Sequence, residues 1–165
     1  MLKVNKIIWI TGLSSTGKTT LANNLVKYID HSIVFDGDES RKRHNNYNYT
    51  VQGVIKAMNE IGQDALNSLS QGYCPIVASI SPFLAIRKNI RYKSLDRYFE
   101  ILLTCDLPEL QRRDSVKNIY KKKNIIGISI PHEQDIQCEM VIDTTCTDEV
   151  LVAKAVIDKL KNSPI

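Results

Sequence analysis

The stretch that decides the fold is GLSSTGKT, residues 12–19, which closely follows the apolar run IIWI at residues 7–10. A Gly-x-x-x-x-Gly-Lys-Ser/Thr pattern between a strand and a helix forms a loop whose backbone amides bind phosphate oxygens. The apolar run is typical of a buried strand, and residues 18–29 place apolar side chains at helical spacing. Because strand and helix flank the motif, we predict a loop that binds a nucleoside triphosphate.

This loop carries the groups that a triphosphate and its metal ion need. We expect Lys18 to reach the β- and γ-phosphates of ATP or GTP, and the Thr19 hydroxyl to coordinate Mg²⁺, which prefers oxygen ligands. The positive N-terminal end of the following helix favours the bound phosphates. The predicted ATP-binding residues are Gly12, Ser14, Ser15, Thr16, Gly17, Lys18, Thr19, Thr20 and Arg113.

Strand and helix patterns alternate along the rest of the chain. Strands are predicted over 6–11, 32–36, 75–80, 99–104 and 140–143, and helices over 18–29, 50–71, 83–92, from Asp106 onward and over 148–160. This alternation predicts a single α/β domain, residues 1–165, with a five-stranded parallel sheet and helices on both faces. Ligands in such sheets bind at the carboxyl ends of the strands.

Composition narrows the classes of partner. The 165 residues carry 22 basic and 18 acidic side chains, and a net charge of +4 is too small to indicate nucleic-acid binding. No apolar run approaches the roughly 18 residues of a membrane span. No secretory signal is evident, and the four cysteines form no Cys-x-x-Cys pair, so we expect reduced thiols and a cytoplasmic protein with a small-molecule substrate.

Two carboxylates follow the second predicted strand, in the stretch DGDESR at residues 36–41. Asp36 and Asp38 lie two residues apart around Gly37, which suits a tight turn. A carboxylate at this edge of the sheet can bind Mg²⁺ or accept a proton from an acceptor hydroxyl. The ordinary alternative is an acidic surface loop.

Two further segments are candidates for the acceptor side. SPFLAIR, residues 81–87, follows the third strand, and there Phe83 offers a ring for stacking and Arg87 a cation for a phosphate. Residues 112–134 are rich in lysine and arginine, and such a segment can form a short lid that excludes water and neutralises charge in the transition state. The ordinary alternatives are a core phenylalanine and a solvated basic helix.

An ordered set of motifs resembles the adenylylsulfate kinase family, P-loop kinases that use Mg²⁺ and ATP to phosphorylate the ribose 3′-hydroxyl of adenylyl sulfate. The matching stretches are GLSSTGKTTLA (12–22), DGDESR (36–41), SPFLAIR (81–87), RDSVKNIYKK (113–122), GISIPHE (127–133) and VIDT (141–144). The resemblance covers almost the whole chain. The phosphate loop alone would fit many kinases, whereas the ordered set selects this family.

The resemblance implies roles for individual residues. Lys18 serves ATP, Thr19 and Asp36 hold the metal, and Asp38 is the expected base, so Asp38, Asp36 and Lys18 are the predicted catalytic residues. The predicted acceptor-binding residues are Arg41, Asn45, Tyr49, Ser81, Pro82, Phe83, Arg87, Lys117 and Ile119. Because the family is commonly dimeric, we also expect a homodimer.

The sequence departs from the family on the acceptor side. The family pattern F-S-x-x-D-R-x-x-N-I-R-R-I-G-E-V-A corresponds to YTVQGVIKAMNEIGQDA at residues 49–65. Val54 and Ala57 replace an Arg and an Asn that bind the phosphosulfate, Asn59-Glu60 replaces an Arg pair, and Leu84 replaces another Arg. The family's G-F-T-G segment, whose Phe closes on the adenine, is missing.

Each lost bidentate arginine contact is worth roughly 1.5–3 kcal/mol. These losses favour the same reaction on a different nucleotide, and similar relatives are the cytidine diphosphoramidate kinases of bacterial capsule biosynthesis. Three alternatives stay open: an adenylylsulfate kinase with contacts moved to Arg43, Lys56 or Arg91, another small P-loop kinase acting on a nucleoside monophosphate or a sugar, and a non-catalytic nucleotide-binding module.

Overall fold

A computed structural model describes residues 1–114, 118–121, 125–127, 129–135 and 137–162. Strands and helices alternate along them, as predicted. The elements are β1 (Ile7–Gly12), α1 (Lys18–Leu25), β2 (Ser32–Asp36), α2 (Gly37–Arg43), α3 (Val51–Ser70), β3 (Cys74–Ala78), α4 (Leu84–Lys93), β4 (Tyr98–Thr104), α5 (Leu107–Arg113), a 3₁₀ turn (Ile119–Lys121), β5 (Met140–Asp143) and α6 (Glu149–Lys161).

The five strands form one parallel sheet in the order β2-β3-β1-β4-β5. Alternate residues of β1 point to opposite faces, so Ile8 and Ile10 pack with α1 and α6 while Ile7 and Trp9 pack with α3 and α4. All four side chains are fully buried. The predicted five-stranded parallel α/β sheet with helices on both faces is therefore confirmed.

The parallel register brings the carboxyl ends of the strands to one edge. Gly12 at the end of β1 lies opposite Leu103 of β4, and Asp36 at the end of β2 lies opposite Ala78 of β3. The segments that follow these strands are the phosphate loop, α2 and residues 79–83. The predicted site motifs consequently converge at this edge.

One local prediction is wrong. Residues 37–43 form helix α2 and not a tight turn. Asp36 caps this helix, because its Oδ1 accepts hydrogen bonds from the backbone N–H groups of Asp38 (2.9 Å) and Glu39 (3.4 Å). Acidic residues in the first turn and basic ones in the last also suit the helix dipole, so the signal was present in DGDESRKR.

Two further predictions concern membrane-spanning segments and the state of the cysteines. Over the described ranges, no helix is both long and apolar enough to span a membrane. All four cysteines have free thiols: Cys74 is buried, Cys105 and Cys138 are half-buried, and Cys146 is exposed.

Candidate active site

A cleft of about 1620 Å³ runs along the carboxyl edge of the sheet. The phosphate loop forms its floor, and α2, α3 and the residues after β3 form its walls. Most of the predicted site residues line it. They are Ser14, Ser15, Thr16, Gly17, Lys18, Thr19, Thr20, Asp36, Asp38, Arg41, Tyr49, Ser81, Pro82, Arg113 and Ile119.

The phosphate loop folds around its own backbone. Gly17 adopts a left-handed conformation with φ of 94°, which places the start of α1 at the cleft. The ammonium of Lys18 donates to the carbonyl of Leu13 at 2.5 Å, and the hydroxyl of Thr16 donates to the same carbonyl at 3.0 Å. Gly12 has a different task from the predicted one: it does not line the cleft, and a Cβ there would overlap the Leu103 carbonyl of β4.

Thr19 and Asp36, predicted from separate motifs to hold a metal ion, lie in direct contact. The Thr19 hydroxyl donates to Asp36 Oδ2 at 2.7 Å. A hydroxyl and a carboxylate are the hard oxygen donors that Mg²⁺ prefers, so this donor set fits the ion. Among the described residues no cluster of three His, Cys, Asp or Glu side chains could hold a metal.

Asp36 and Asp38 have different surroundings. One oxygen of Asp36 accepts from Thr19 and the other caps α2, so this carboxylate is fixed in place. Asp38 lies on the exposed first turn of α2 and lines the cleft. Asp36 is thus held through both carboxylate oxygens, and both aspartates line the cleft.

The opposite wall, formed by α3, is apolar. Val54, Ala57, Met58 and Ile61 all line the cleft. Two of these, Val54 and Ala57, stand where the family pattern has an arginine and an asparagine. The cationic side chains that line the cleft are Lys18, Arg41, Lys42 and Arg113, counted over the described residues.

Arg41 is occupied by neighbours at the rim of the cleft. Its guanidinium carbon lies 4.6 Å from the centre of the Tyr49 ring, and its Nη1 donates to the Asn48 carbonyl at 3.0 Å. Burial lowers the pKa of Arg41, against the opposing effect of Tyr49 and nearby carboxylates. The ring of Tyr49 stays exposed beside it.

Arg113, a predicted ATP-binding residue, also lines the cleft. Its Nη2 donates to the Thr144 carbonyl at 2.6 Å, and its Nε donates to Glu109 at 2.7 Å. These contacts fix its guanidinium between α5 and the loop after β5.

Three predicted acceptor-binding residues lie elsewhere, and a fourth, Lys117, falls outside the described residues. Arg87 is fully buried and donates to Glu100 at 2.9 Å and to the carbonyls of Ser81 and Glu133 at 2.5 and 2.7 Å. Because these groups use its guanidinium, Arg87 supports the segment after β3 from behind and does not line the cleft.

Phe83 and Asn45 are the other two residues that do not line the cleft. Phe83 is the N-cap residue of α4. Asn45 adopts a left-handed conformation with φ of 51° and lines a separate cavity of about 540 Å³. Both residues shape the backbone at the ends of helices next to the site.

The cations that could have replaced the lost family contacts are also engaged away from the cleft. Arg43 pairs with Asp64 at 3.5 Å, and Lys56 pairs with Glu60 at 3.7 Å. Arg91 makes two hydrogen bonds with Glu139, at 2.6 and 2.8 Å. None of the three lines the cleft.

Sequence reasoning missed two residues that contact the phosphate loop from distant segments. The Tyr120 hydroxyl donates to the Ser14 carbonyl at 2.7 Å, and burial raises the pKa of Tyr120 to about 12. The Thr144 hydroxyl lies 3.0 Å from the Thr16 carbonyl and donates to it. Both residues belong to motif stretches quoted above, RDSVKNIYKK and VIDT, so the signal was available.

His132 was missed in the same way, within GISIPHE. Its Nε2 lies 3.1 Å from the Thr11 hydroxyl and 3.0 Å from the Ile80 carbonyl. Burial, together with the charges of Arg87 and Lys18, lowers the pKa of His132 to about 4. A neutral imidazole therefore joins the last part of the candidate lid to the ends of β1 and β3.

The chain is similar to known kinases along most of its length. The sequence profile of the family described as adenylylsulphate kinase matches residues 4–143. A probable adenylyl-sulfate kinase of Halalkalibacterium halodurans is 34% identical over 162 residues, covering 91% of this chain and 78% of that protein. A cytidine diphosphoramidate kinase of Campylobacter jejuni is 34% identical over 154 residues, covering 87% and 89%.

The fold is also similar to that of a known kinase. The Mycobacterium tuberculosis APS kinase in complex with AMPPNP and APS superposes with a TM-score of 0.84 at 22% identity, covering 97% of this chain and 99% of that one. Profile, relatives and fold agree with the family indicated by the ordered motifs, and ATP is the expected phosphate donor of such a kinase. The chain belongs to the adenylylsulphate kinase family and is a phosphotransferase that acts on a nucleotide hydroxyl.

Proposed function

We propose that this kinase transfers the γ-phosphate of ATP to the ribose 3′-hydroxyl of cytidine diphosphoramidate, a step of capsule phosphoramidate biosynthesis. The observation that carries the proposal is the apolar wall of α3. Val54 and Ala57 line the cleft where the family pattern has an arginine and an asparagine for the phosphosulfate. The terminal phosphoramidate of that acceptor has an NH2 group in place of one sulfate oxygen, so it offers fewer anionic oxygens for cationic partners to bind.

The ATP side supports ordinary phosphoryl transfer. The amides of residues 14–19 and the Lys18 ammonium bind the phosphates, which displaces the lysine from the Leu13 carbonyl that it now contacts. Thr19 and Asp36 would hold Mg²⁺. When bound, the ion neutralises charge on the phosphate oxygens.

The acceptor proton goes to Asp38 in this proposal. Asp38 lines the cleft on the first turn of α2, and the resemblance to the family implies it as the base. As a general base Asp38 removes the proton of the 3′-hydroxyl while the hydroxyl oxygen forms its bond to the γ-phosphorus and ADP leaves. Lys117 and Ile119 belong to the segment that we propose closes over the substrates.

Adenylyl sulfate is the second candidate acceptor. The observation that favours it is the presence of Arg41 and Lys42 in the cleft, because two cations can still attract an anionic 5′ group. Against it, Arg43, Lys56 and Arg91 pair with acidic residues outside the cleft. A non-catalytic nucleotide-binding module is disfavoured because Lys18, Thr19, Asp36 and Asp38 are all in place.

The proposal extends to the setting of the reaction. We infer a cytoplasmic enzyme that acts as a homodimer, as the resemblance to the family implies. Size-exclusion chromatography with light scattering measures the dimer directly, and a monomer at working concentration would overturn that part of the proposal.

The test is a coupled ADP-release assay with purified protein, MgATP and each acceptor in turn. We expect turnover with cytidine diphosphoramidate and at least a hundredfold lower kcat/KM with adenylyl sulfate, since two lost arginine contacts of about 1.5 kcal/mol each give this ratio. The product should be 3′-phosphorylated by ³¹P NMR. Efficient turnover of adenylyl sulfate at micromolar concentration would overturn the choice of acceptor.

A further inference from the structure

The loop of residues 44–50, called here the acceptor loop, joins α2 to α3 at the rim of the cleft. It carries Tyr47 and Tyr49, whose exposed fractions are 64% and 60%, and both side chains line the cleft. Two exposed aromatic rings above an apolar wall form a surface suited to a planar base.

Asn46 is the anchor of the acceptor loop. It is the one buried residue of this loop, with an exposed fraction of 4%. Its Nδ2 donates to the Gly53 carbonyl and to Glu60 Oε2, both at 3.1 Å, and its Oδ1 accepts from the Asn48 amide at 3.3 Å. A buried amide with all these partners fixes the backbone around it.

Gly53 and Arg41 hold the loop from two further sides. A Cβ at position 53 would overlap the Asn48 carbonyl, so the loop can lie on the first turn of α3 only because residue 53 is glycine. Arg41 donates to the carbonyls of Asn46 and Asn48 and stacks on Tyr49. The loop is therefore held between α2 and α3.

Two of these supports, Gly53 and Glu60, stand where the family pattern has an aspartate and an arginine. An arginine at position 60 could not accept the hydrogen bond of Asn46, and an aspartate at position 53 would meet the Asn48 carbonyl. The replacement of a family arginine by Glu60 thus removes a cation from α3 and also supports the acceptor loop.

We propose that Asn46, held by Glu60, is a positioning residue that sets the two tyrosines over the apolar wall and thereby selects the base of the acceptor, with Tyr47 as a further base contact. The identity of that acceptor rests on the proposed function above. The positioning itself does not, because it follows from contacts within the chain.

The test compares Asn46→Ala, Glu60→Ala, their double variant and Glu60→Gln, which keeps a hydrogen-bond acceptor for Asn46. Each single alanine variant should raise the KM for the accepted nucleotide about fivefold to tenfold, as expected for one buried hydrogen bond. The double variant should resemble the singles. Glu60→Gln should stay within twofold of the wild type, and kcat and the Kd for AMPPNP should not change.

The matched control is Lys56→Ala. Lys56 contacts the other oxygen of Glu60 at 3.7 Å and is exposed, so its removal leaves the bond from Asn46 to Glu60 in place. We expect wild-type kinetics from it. Acceptor KM values within twofold of the wild type in both alanine variants, or an equal loss of AMPPNP affinity, would overturn the positioning role.

Tyr47→Ala tests the base contact directly and should raise the acceptor KM about tenfold at unchanged AMPPNP affinity, because stacking on one base is worth ~1–3 kcal/mol. A KM within twofold of the wild type would remove Tyr47 from the proposal.

A second readout separates this inference from the proposed function. Hydrogen exchange of a peptide that covers residues 44–53 should be at least fivefold faster in Asn46→Ala and Glu60→Ala than in the wild type and in Lys56→Ala. This measurement needs no acceptor. If neither nucleotide is turned over, the proposed function fails, while the exchange rates still decide the positioning role; unchanged rates would overturn it.

Discussion

The two sides of the cleft are built in different ways. The ATP side is formed mainly by one short stretch, residues 12–20. There the backbone of the phosphate loop and the start of helix α1 provide the binding surface. The acceptor side is assembled from α2, the acceptor loop, α3 and the residues after β3, which buried side-chain contacts hold together. A backbone-built site is specified locally, whereas a side-chain-built site depends on long-range partners and can change its ligand through a few substitutions.

The sharpest way to separate the two sides is to remove the proposed base. Asp38→Asn keeps the size of the side chain and should reduce transfer by about 10²–10⁴-fold, the usual contribution of a general base. The Kd for AMPPNP should stay within twofold, because ATP is bound by the phosphate loop. Single-turnover transfer and equilibrium titration measure the two effects.

Asp158→Asn is the control for this substitution, since the exposed carboxylate of Asp158 on α6 pairs with Lys161 at 3.2 Å, away from the cleft. It should behave as the wild type. If Asp38→Asn retains normal turnover, the base is another group and Asp36 becomes the residue to test.

The next prediction concerns a buried ion pair behind the acceptor side. Arg87 and Glu100 form an ion pair with exposed side-chain fractions of 0% and 3%. Arg87→Met leaves Glu100 buried without its partner and should lower the free energy of unfolding by about 3–5 kcal/mol. Burial raises the pKa of Glu100 even beside Arg87, against the opposing effects of Arg87, the Tyr98 hydroxyl and Arg91. Urea unfolding monitored by circular dichroism measures the loss.

Two further variants identify the cause. Adding Glu100→Gln to Arg87→Met removes the uncompensated charge and should restore part of the lost stability. Lys161→Ala removes an exposed ion pair and should cost less than about 1 kcal/mol. If Arg87→Met lowers the free energy of unfolding by less than about 1 kcal/mol, the fold around the segment after β3 does not depend on the Arg87–Glu100 pair.

The same pair explains what sequence reasoning could reach. The strands, their order of alternation and the phosphate loop follow local periodicity and one contiguous motif, and they were predicted to within one or two residues. The role of Arg87 was not, because helical spacing after Pro82 does not tell which face meets the sheet. The signal that could have found it is Glu100, a single charge inside the apolar strand YFEILLT.

The contacts of Tyr120, His132 and Asn46 were missed for a related reason. Each joins segments that are far apart in the sequence, with separations of 106, 121 and 14 residues for their bonds to Ser14, Thr11 and Glu60. Helix α2 was missed for a different reason, since the capping signal of Asp36 was present but the glycine suggested a turn.

A pH-dependent prediction tests the segment that joins the two sides. The pKa of His132 is about 4 in the folded protein, against an ordinary value near 6.5. Between these values the unfolded chain binds more protons, so stability falls as the pH drops from about 6.5 to 4. His132→Gln cannot titrate, and between pH 7 and pH 5 the wild type should lose about 1–2 kcal/mol more than this variant. The free energy of unfolding in urea is measured for both proteins at pH 7 and pH 5. An equal loss in the wild type and in His132→Gln would contradict the prediction.

The smallest expected effect concerns Tyr120, a residue that connects the two sides of the cleft. Tyr120 lies in the candidate lid, yet its hydroxyl donates to the Ser14 carbonyl of the phosphate loop at 2.7 Å. Tyr120→Phe removes one hydrogen bond of about 0.5–1.5 kcal/mol and should raise the KM for MgATP about twofold to tenfold at constant acceptor KM. Tyr28→Phe, at an exposed tyrosine that follows the C-terminal end of α1, controls for the loss of a tyrosine hydroxyl. A rise in acceptor KM alone would place Tyr120 on the acceptor side, and the lid would then sense the acceptor and not the nucleotide triphosphate.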